Sequence, residues 1–262
     1  MNKKLEGKVA IITGGGMGIG LGIAETYLNY GAHVIIIDKS DKIAETLGSL
    51  RQKYDRVTAY KLDIRDREMV KRVVATIYNK FKTVDILVNN AGVAIYKPFL
   101  EMKDEDRDIQ IDINIKGTWN LIQEVLPIML KNKKGSVVSL SSVTGPLVAD
   151  EGASAYALSK SAILGLTKAL AVEYAPSHIR FNAIQPGVIN TPLLRSNAGD
   201  NQEEGLKLMG ETVPLGRLGD PKEVGELAAF LGSDESSYIT GEGIVIDGAS
   251  TLPETNNVLG RN

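Results

Sequence analysis

The chain has 262 residues, no cysteine and a formal net charge of −2. The missing thiols exclude disulfides, thiolate metal sites and cysteine nucleophiles together, and so balanced a charge gives no electrostatic pull toward nucleic acid or an anionic membrane. With 43% hydrophobic and 24% charged residues, the composition is globular and free of linker or low-complexity segments, which predicts one continuous domain over residues 1–262.

Residues 1–8 are polar and lack an apolar signal core. No apolar run approaches the ~18 residues of a membrane-spanning helix. The expected location is therefore cytoplasmic, with neither membrane nor nucleic acid as partner.

Residues 8–12 form a short apolar run rich in β-branched side chains, which reads as a strand. A glycine-rich segment follows from Thr13 to Gly20. A helical stripe of Ile23, Tyr27 and Leu28 comes next, then a second apolar strand at 33–37 ending on Asp38. This is a βαβ unit. Ser40 is the expected N-cap of a helix carrying Ile43, Leu47 and Leu50. The third strand is expected at 57–62, ending at Asp63, and the third helix at 65–81 with Met69, Val73 and Ile77 facing inward. A fourth strand at 84–88 runs into Asn89-Asn90-Ala91-Gly92.

A long helix at 105–131 carries Asn114, Trp119 and Pro127, and the proline is expected to bend it. Its acidic start, Asp104-Glu105-Asp106, suits a helix N-terminus rather than a metal. The fifth strand at 136–140 leads into Ser141-Ser142, and a helix at 153–174 carries Tyr156 and Lys160. The sixth strand is expected at 179–184. Residues 185–218 are irregular, with a short helix at 202–209 and a substrate loop at about 187–218. A helix at 221–231, a seventh strand at 243–246 and a polar tail at 250–262 complete the chain.

Strands that are apolar throughout, alternating with helices, predict a seven-stranded parallel sheet covered on both faces. Right-handed crossovers make it a doubly wound, Rossmann-like α/β fold that binds ligands at the carboxyl ends of its strands. Gly14, Asp38, Asp63, Asn89, Ser142 and Pro186 all fall at those ends.

The glycines of Gly14-x-x-x-Gly18-x-Gly20 lie between a strand and a helix. There they permit tight turns and let backbone N–H groups approach a pyrophosphate. Asp38, at the end of the next strand, can accept hydrogen bonds from ribose hydroxyls, and its charge repels a 2′-phosphate. No Arg or Lys lies within Gly14 to Gly20, so NAD is favoured over NADP. Tyr156 and Lys160 share one helix face at i and i+4. An ammonium beside a phenol favours the phenolate, and a phenol so tuned can exchange protons with an alcohol or ketone. Alone, such a pair is as well read as surface chemistry.

The ordered set Thr13-Gly14-x-x-x-Gly18-Ile19-Gly20, Asp63, Asn89-Asn90-Ala91-Gly92, Asn114, Ser142, Tyr156-x-x-x-Lys160 and Pro186-Gly187 resembles the short-chain dehydrogenase/reductase family over about residues 5–250. A closer likeness, to a bacterial branch of that family, rests on Asp112-Ile113-Asn114-Ile115-Lys116-Gly117, on residues 226–230 and 233–238, and on the tail 251–255.

The resemblance implies an NAD-dependent oxidoreductase interconverting a secondary alcohol and a ketone or aldehyde. In it Tyr156 is the general acid/base, Lys160 lowers the Tyr156 pKa and holds the nicotinamide ribose, and Ser142 hydrogen-bonds the substrate oxygen. Asn114 holds a water that links Lys160 to solvent. Ser142 is preferred to Ser139 and Ser141 because the family's serine is the second of a pair followed by an apolar residue and a glycine, here Ser142-Val143-Thr144-Gly145. One residue more than in many members separates Ser142 from Tyr156, within 146–154.

The same resemblance assigns Gly14, Met17, Gly18, Ile19 and Gly20 to the pyrophosphate turn, Asp63 and Ile64 to the adenine, and Asn90, Ala91 and Gly92 to the adenosine ribose. Pro186, Gly187, Ile189 and Thr191 go to the nicotinamide end. It also implies a homotetramer or homodimer through helices 105–131 and 153–174; the position of the tail suggests that it covers a neighbouring subunit's cleft.

The alternatives are an epimerase or dehydratase that retains NAD, and a non-catalytic NAD(H)-sensing regulator. His33 and His178 read as structural, Trp119 and Tyr174 as helix packing, and no metal is expected. Lys97 and Arg195 flank the expected cleft as solvated side chains. A sugar alcohol, a hydroxy acid, a diol and a steroid all remain open as substrate.

Overall fold

A computed structural model of the chain describes residues 3–196 and 201–253. Its strands are β1 (Val9–Thr13), β2 (His33–Asp38), β3 (Val57–Lys61), β4 (Ile86–Asn89), β5 (Gly135–Leu140), β6 (Ile179–Pro186) and β7 (Gly243–Ile246). They form one sheet in the order β3-β2-β1-β4-β5-β6-β7, and every neighbouring pair is parallel. The strand order reverses between β1 and β4, which opens a crevice at their carboxyl ends.

The helices are α1 (Gly18–Asn29), α2 (Ile43–Arg51), α3 (Arg67–Phe81), α4 (Asp104–Gln110), α5 (Thr118–Asn132), α6 (Ser154–Tyr174), α7 (Pro192–Ser196), α8 (Gln202–Glu211) and α9 (Pro221–Gly232). None of the described helices is long and apolar enough to cross a membrane.

The period-2 alternation of each strand divides its apolar side chains between two layers. Ile12, Ile36, Val138 and Ile184 pack with Ile23, Tyr27, Leu50, Val224 and Ala228 of α1, α2 and α9. Ile11, Ile35, Val137 and Phe181 pack with Val73, Ile77, Leu121, Val125 and Ala171 of α3, α5 and α6. Burying each such isoleucine contributes about 1.5–3 kcal/mol. α1 meets α9 backbone to backbone, because a Cβ on Gly22 would lie 2.6 Å from the Pro221 carbonyl carbon.

Several boundaries differ from expectation. β6 runs on to Pro186, because its register with β7 continues to the Pro186–Ile246 pair. α2 begins after Lys42, not Ser40. The Ser40 hydroxyl accepts the Lys42 N–H in a turn upstream, while Ser40 itself donates its N–H to Asp38. On α3 the inward stripe is Val70, Val73, Val74 and Ile77, spaced i, i+3, i+4, i+7, and Met69 turns out toward solvent.

The expected long helix is divided. It begins as α4 at Asp104, passes through a π-helical segment at Ile111–Gly117, and resumes as α5, which runs unbroken through Pro127. The break in α geometry thus falls at Asn114 rather than at the proline. Trp119 does not pack between helices; it is about half exposed.

The irregular segment after β6 contains α7 as well as the expected α8. At the start of the tail the Asp247 carboxylate accepts the N–H groups of Ala249 and Thr251. The tail residues 254–262 lie outside the described residues.

Candidate active site

The nucleotide half is built where β1 and β4 diverge. The Thr13 hydroxyl accepts the N–H groups of Asn90 (3.0 Å) and Ala91 (3.1 Å). Asn90 returns its amide N–H groups to the carbonyls of Thr13 (3.0 Å) and Gly14 (3.1 Å). The two loops are held so close that a Cβ on Gly14, whose φ is +64°, would sit 2.9 Å from the Ala91 Cα. α1 starts after Met17 with no side-chain cap and no acidic residue in its first turn. Its first intrahelical bond here is Leu21 N–H to the Met17 carbonyl, so the N–H groups at Gly18, Ile19 and Gly20 are available to an anion. Gly18 faces Thr191 at van der Waals distance from a Cβ placed on it.

The Asp38 carboxylate is fixed at the edge of this turn by the N–H groups of Gly16 (3.0 Å) and Ser40 (2.9 Å). Asp63 pairs with Arg65 at 2.6 Å, and that guanidinium holds its carboxyl below the usual carboxylate range, with Lys39 adding in the same direction. Ile64 is buried, its carbonyl accepting from Asn120 at 3.1 Å, so its side chain belongs to the core rather than to the crevice. Ile189 is likewise buried. Pro186 is buried and Gly187 and Thr191 are partly exposed at the other end of the crevice. The cradle of free helix N–H groups, close-packed glycines and a carboxylate at the end of β2 fits a nicotinamide dinucleotide.

The chemical half lies after β5. Of the serines weighed there, Ser141 donates to the Lys160 carbonyl at 2.8 Å and Ser139 accepts from Asn89 at 3.3 Å. Ser142 alone turns to Tyr156. A hydrogen bond from its hydroxyl draws the Tyr156 pKa down, but burial dominates and the phenol is pushed up to about 12, with Tyr96 adding to the rise. Lys160 stands beside the ring. Its Nζ lies 5.6 Å from the Tyr156 ring centroid and donates to the Leu140 carbonyl at 2.8 Å. Burial drives its own pKa down to about 8. In the ligand-free protein desolvation of the phenol therefore dominates its pKa, with the Lys160 ammonium held against the Leu140 carbonyl.

Asn114 sits in the π segment and clips the loop after β4. Its Oδ1 accepts the Val93 N–H, and its Nδ2 donates to the Val93 carbonyl and to Ser159 Oγ, all at 2.9 Å. Ser159 Oγ donates in turn to the Tyr156 carbonyl at 2.8 Å. A Cβ on Gly92 would lie 3.1 Å from Asn114 Oδ1 and 3.5 Å from Lys160 Nζ, so Gly92, Asn114 and Lys160 are immediate neighbours.

Sequence reasoning missed Gln110. Wholly buried, it repeats the Asn114 clip one turn earlier, accepting the Ile95 N–H at 3.1 Å and donating to the carbonyls of Ile95 (3.4 Å) and Asp106 (2.9 Å). Its i, i+4 spacing from Asn114 was the available signal. Tyr96, the next residue along that loop, has its ring centroid 6.1 Å from that of Tyr156.

The residues set aside stay aside. His33 stacks on Phe81 at 4.4 Å between centroids, and His178 follows a short 3-10 turn with φ +59°. Lys97 pairs with Asp106 at 2.6 Å, and Arg195 donates to Asn190 at 3.0 Å. Among the described residues no cluster of metal-ligating side chains occurs.

Comparison with known proteins places this geometry. A family model described as enoyl-(acyl carrier protein) reductase matches residues 14–251. Oxidoreductase UcpA of Salmonella typhimurium is 54% identical over 259 residues, covering 97% of this chain and 98% of that protein. Among solved structures, ligand-free aldohexose dehydrogenase of Thermoplasma acidophilum superposes with a TM-score of 0.88 at 31% identity, over 100% of this chain and 99% of that one. ElxO with NADP bound gives 0.87 at 33% identity, over 93% and 98%. With its parallel sheet, glycine turn and Tyr156–Lys160 helix, the chain belongs to the short-chain dehydrogenase/reductase family of oxidoreductases.

Proposed function

We propose that this protein is an NAD-dependent oxidoreductase that interconverts a secondary alcohol and a ketone or aldehyde, with Tyr156 as general acid/base. The observation that carries the reading is the placement of Tyr156 beside Ser142, which draws its pKa down, and beside the buried Lys160, whose Nζ lies 5.6 Å from its ring centroid, one loop away from the dinucleotide cradle. Gly14, Met17, Gly18, Ile19 and Gly20 would hold the pyrophosphate, Asp38 the adenosine ribose, Asp63 the adenine edge, Asn90, Ala91 and Gly92 the ribose from below, and Pro186, Gly187 and Thr191 the nicotinamide end. Bound there, the oxidised dinucleotide supplies hydride acceptance and a positive charge near Tyr156.

The rest is the work of the chain. Ser142 and Tyr156 converge on the substrate oxygen and hold it by two hydrogen bonds. In oxidation Tyr156 removes the hydroxyl proton; in reduction it returns one. A phenol near 12 is protonated at neutral pH and ready to donate in reduction, but its basic phenolate is scarce, so oxidation needs added positive charge beside it. Turned from the Leu140 carbonyl, Lys160 would provide part of that charge, and Asn114 would hold a water that links it to solvent. The fold admits NADP, as the ElxO structure shows for that protein. NAD is supported here by Asp38, whose anchored carboxylate repels a 2′-phosphate.

The test is Tyr156→Phe. It lowers kcat by about 10²–10⁴-fold, while NADH titrated by fluorescence binds as in the wild type; undiminished turnover refutes the assignment. A homodimer or homotetramer through α5 and α6 is part of the same proposal. It is supported by Trp119, Leu158 and Val172 standing 48%, 56% and 80% exposed on those helices. Light scattering that finds a monomer removes it.

A further inference from the structure

The wall facing Ser142 and Tyr156 is made of two loops that the fold pins together. The loop after β4 is clipped at Val93 by Asn114 and at Ile95 by Gln110, which presents the next residue, Tyr96, against Tyr156. The loop after β5 folds back through a bond from the Gly145 N–H to the Val148 carbonyl at 2.7 Å, and the Asp150 carbonyl accepts the Ala153 N–H at 3.2 Å. Gly152 then accepts the Lys97 N–H at 3.0 Å and joins the two loops.

These loops carry the exposed apolar Leu147 and Val148, and three oxygen-bearing side chains linked to the reacting pair or to one another. Thr144 donates its N–H to Ser142 Oγ at 3.1 Å, and its hydroxyl stands 3.5 Å from Asp150 Oδ2. Tyr96 stacks at 6.1 Å from Tyr156 and is about half exposed. Its phenol is held protonated by burial and by the charge of Asp150. The two cations that flank this wall in sequence are engaged elsewhere, Lys97 by Asp106 and Arg195 by Asn190.

We propose that Tyr96, Thr144 and Asp150 form a hydroxyl-recognition subsite beside the reacting centre, so that the substrate is an uncharged vicinal diol or polyol. The reacting carbinol oxygen lies between Ser142 and Tyr156, and the neighbouring hydroxyl donates to Asp150 and accepts from Tyr96. A carboxylate on the adjacent carbon meets the charge of Asp150, and like charges so placed are strongly disfavoured. A simple alcohol leaves the polar wall without partners, which a site built for a hydroxyl penalises. The inference rests on the oxidoreductase reading above.

The test compares kcat/KM for glycerol, xylitol, isopropanol and lactate in wild type, Asp150→Asn, Asp150→Lys and Tyr96→Phe, following NADH formation. In the wild type a polyol exceeds both isopropanol and lactate by about tenfold or more. Asp150→Asn narrows the gap to lactate by about tenfold and Asp150→Lys closes or inverts it. Tyr96→Phe raises KM for the polyol while isopropanol is unaffected, a substrate-dependent change that general loss of structure does not produce. Lactate turned over as well as the polyols in the wild type, or a polyol-to-lactate ratio untouched by Asp150→Lys, overturns the subsite while leaving the oxidoreductase reading intact. No NADH from any of the four overturns the subsite, while NADH formed from a larger alcohol such as a steroid leaves the oxidoreductase reading standing.

Discussion

Replacing Lys160 with methionine should make the ligand-free protein more stable near neutral pH even as it destroys turnover. Lys160 is 6% exposed, and burial alone takes its pKa from the ordinary 10.5 to about 8. At about 1.4 kcal/mol for each tenfold in proton affinity, carrying the proton in the folded state costs about 3 kcal/mol. Methionine of similar length removes that cost. It also removes the Nζ bond to the Leu140 carbonyl, a loss of about 1–2 kcal/mol. The net gain at pH 7 is therefore about 1–2 kcal/mol.

The sign changes with pH. Between about 8 and 10.5 the unfolded chain binds the proton and the folded one does not, so wild-type stability rises through this window. The advantage of Lys160→Met is full below pH 8, shrinks by about 1.4 kcal/mol per pH unit above it, and reverses near pH 9; by 10.5 only the lost hydrogen bond remains. Urea denaturation of both proteins at pH 7 and at pH 10 measures this directly. A variant that is less stable than the wild type at pH 7, or a difference that does not move with pH, refutes the reasoning that desolvation governs this lysine.

Two further variants address the neighbouring groups. Asp38→Ala should raise the NADP-to-NAD ratio of kcat/KM by about tenfold or more, read from paired assays with the two cofactors; a wild type that already prefers NADP would show the ribose argument to be wrong. Gln110→Ala should cost about 2–4 kcal/mol in denaturant titration, because the Ile95 N–H loses its acceptor inside a newly opened cavity. It should also raise the substrate KM more than it lowers kcat, since Tyr96 loses its backing. Equal stability and equal KM would show that the clip at Ile95 holds nothing.

Much of the site was legible because its signals are local. The glycines of Thr13 to Gly20 follow a β-branched run and precede a helical stripe, and the cradle formed there. Asp38 ends its strand and is tied to the Gly16 N–H. Ser142 was preferred over Ser139 and Ser141, and the other two hydroxyls are consumed by Asn89 and by the Lys160 carbonyl. What escaped was non-local. Gln110 reads as an ordinary helical residue until its amide meets the loop at Ile95, 15 positions away. Met69 and Ser40 were misassigned because an apolar residue near a stripe, or a serine near a helix start, satisfies the pattern without settling which neighbour makes the contact.

By itself the sequence determined the alternation of strands and helices, the dinucleotide turn and the face shared by Tyr156 and Lys160, since each depends on spacing of two to four residues along one element. The tertiary structure alone decided what those residues feel. Burial moves both pKa values, the phenol up and the ammonium down, because the cost of charge depends on the solvent that other elements exclude. The π segment at Ile111–Gly117 is likewise a tertiary outcome: Gly117 lies against Ile64 and Asn114 is bound to Val93 and Ser159. Those contacts, made across the fold, bring the Tyr156 helix and the loop bearing Tyr96 to one cleft.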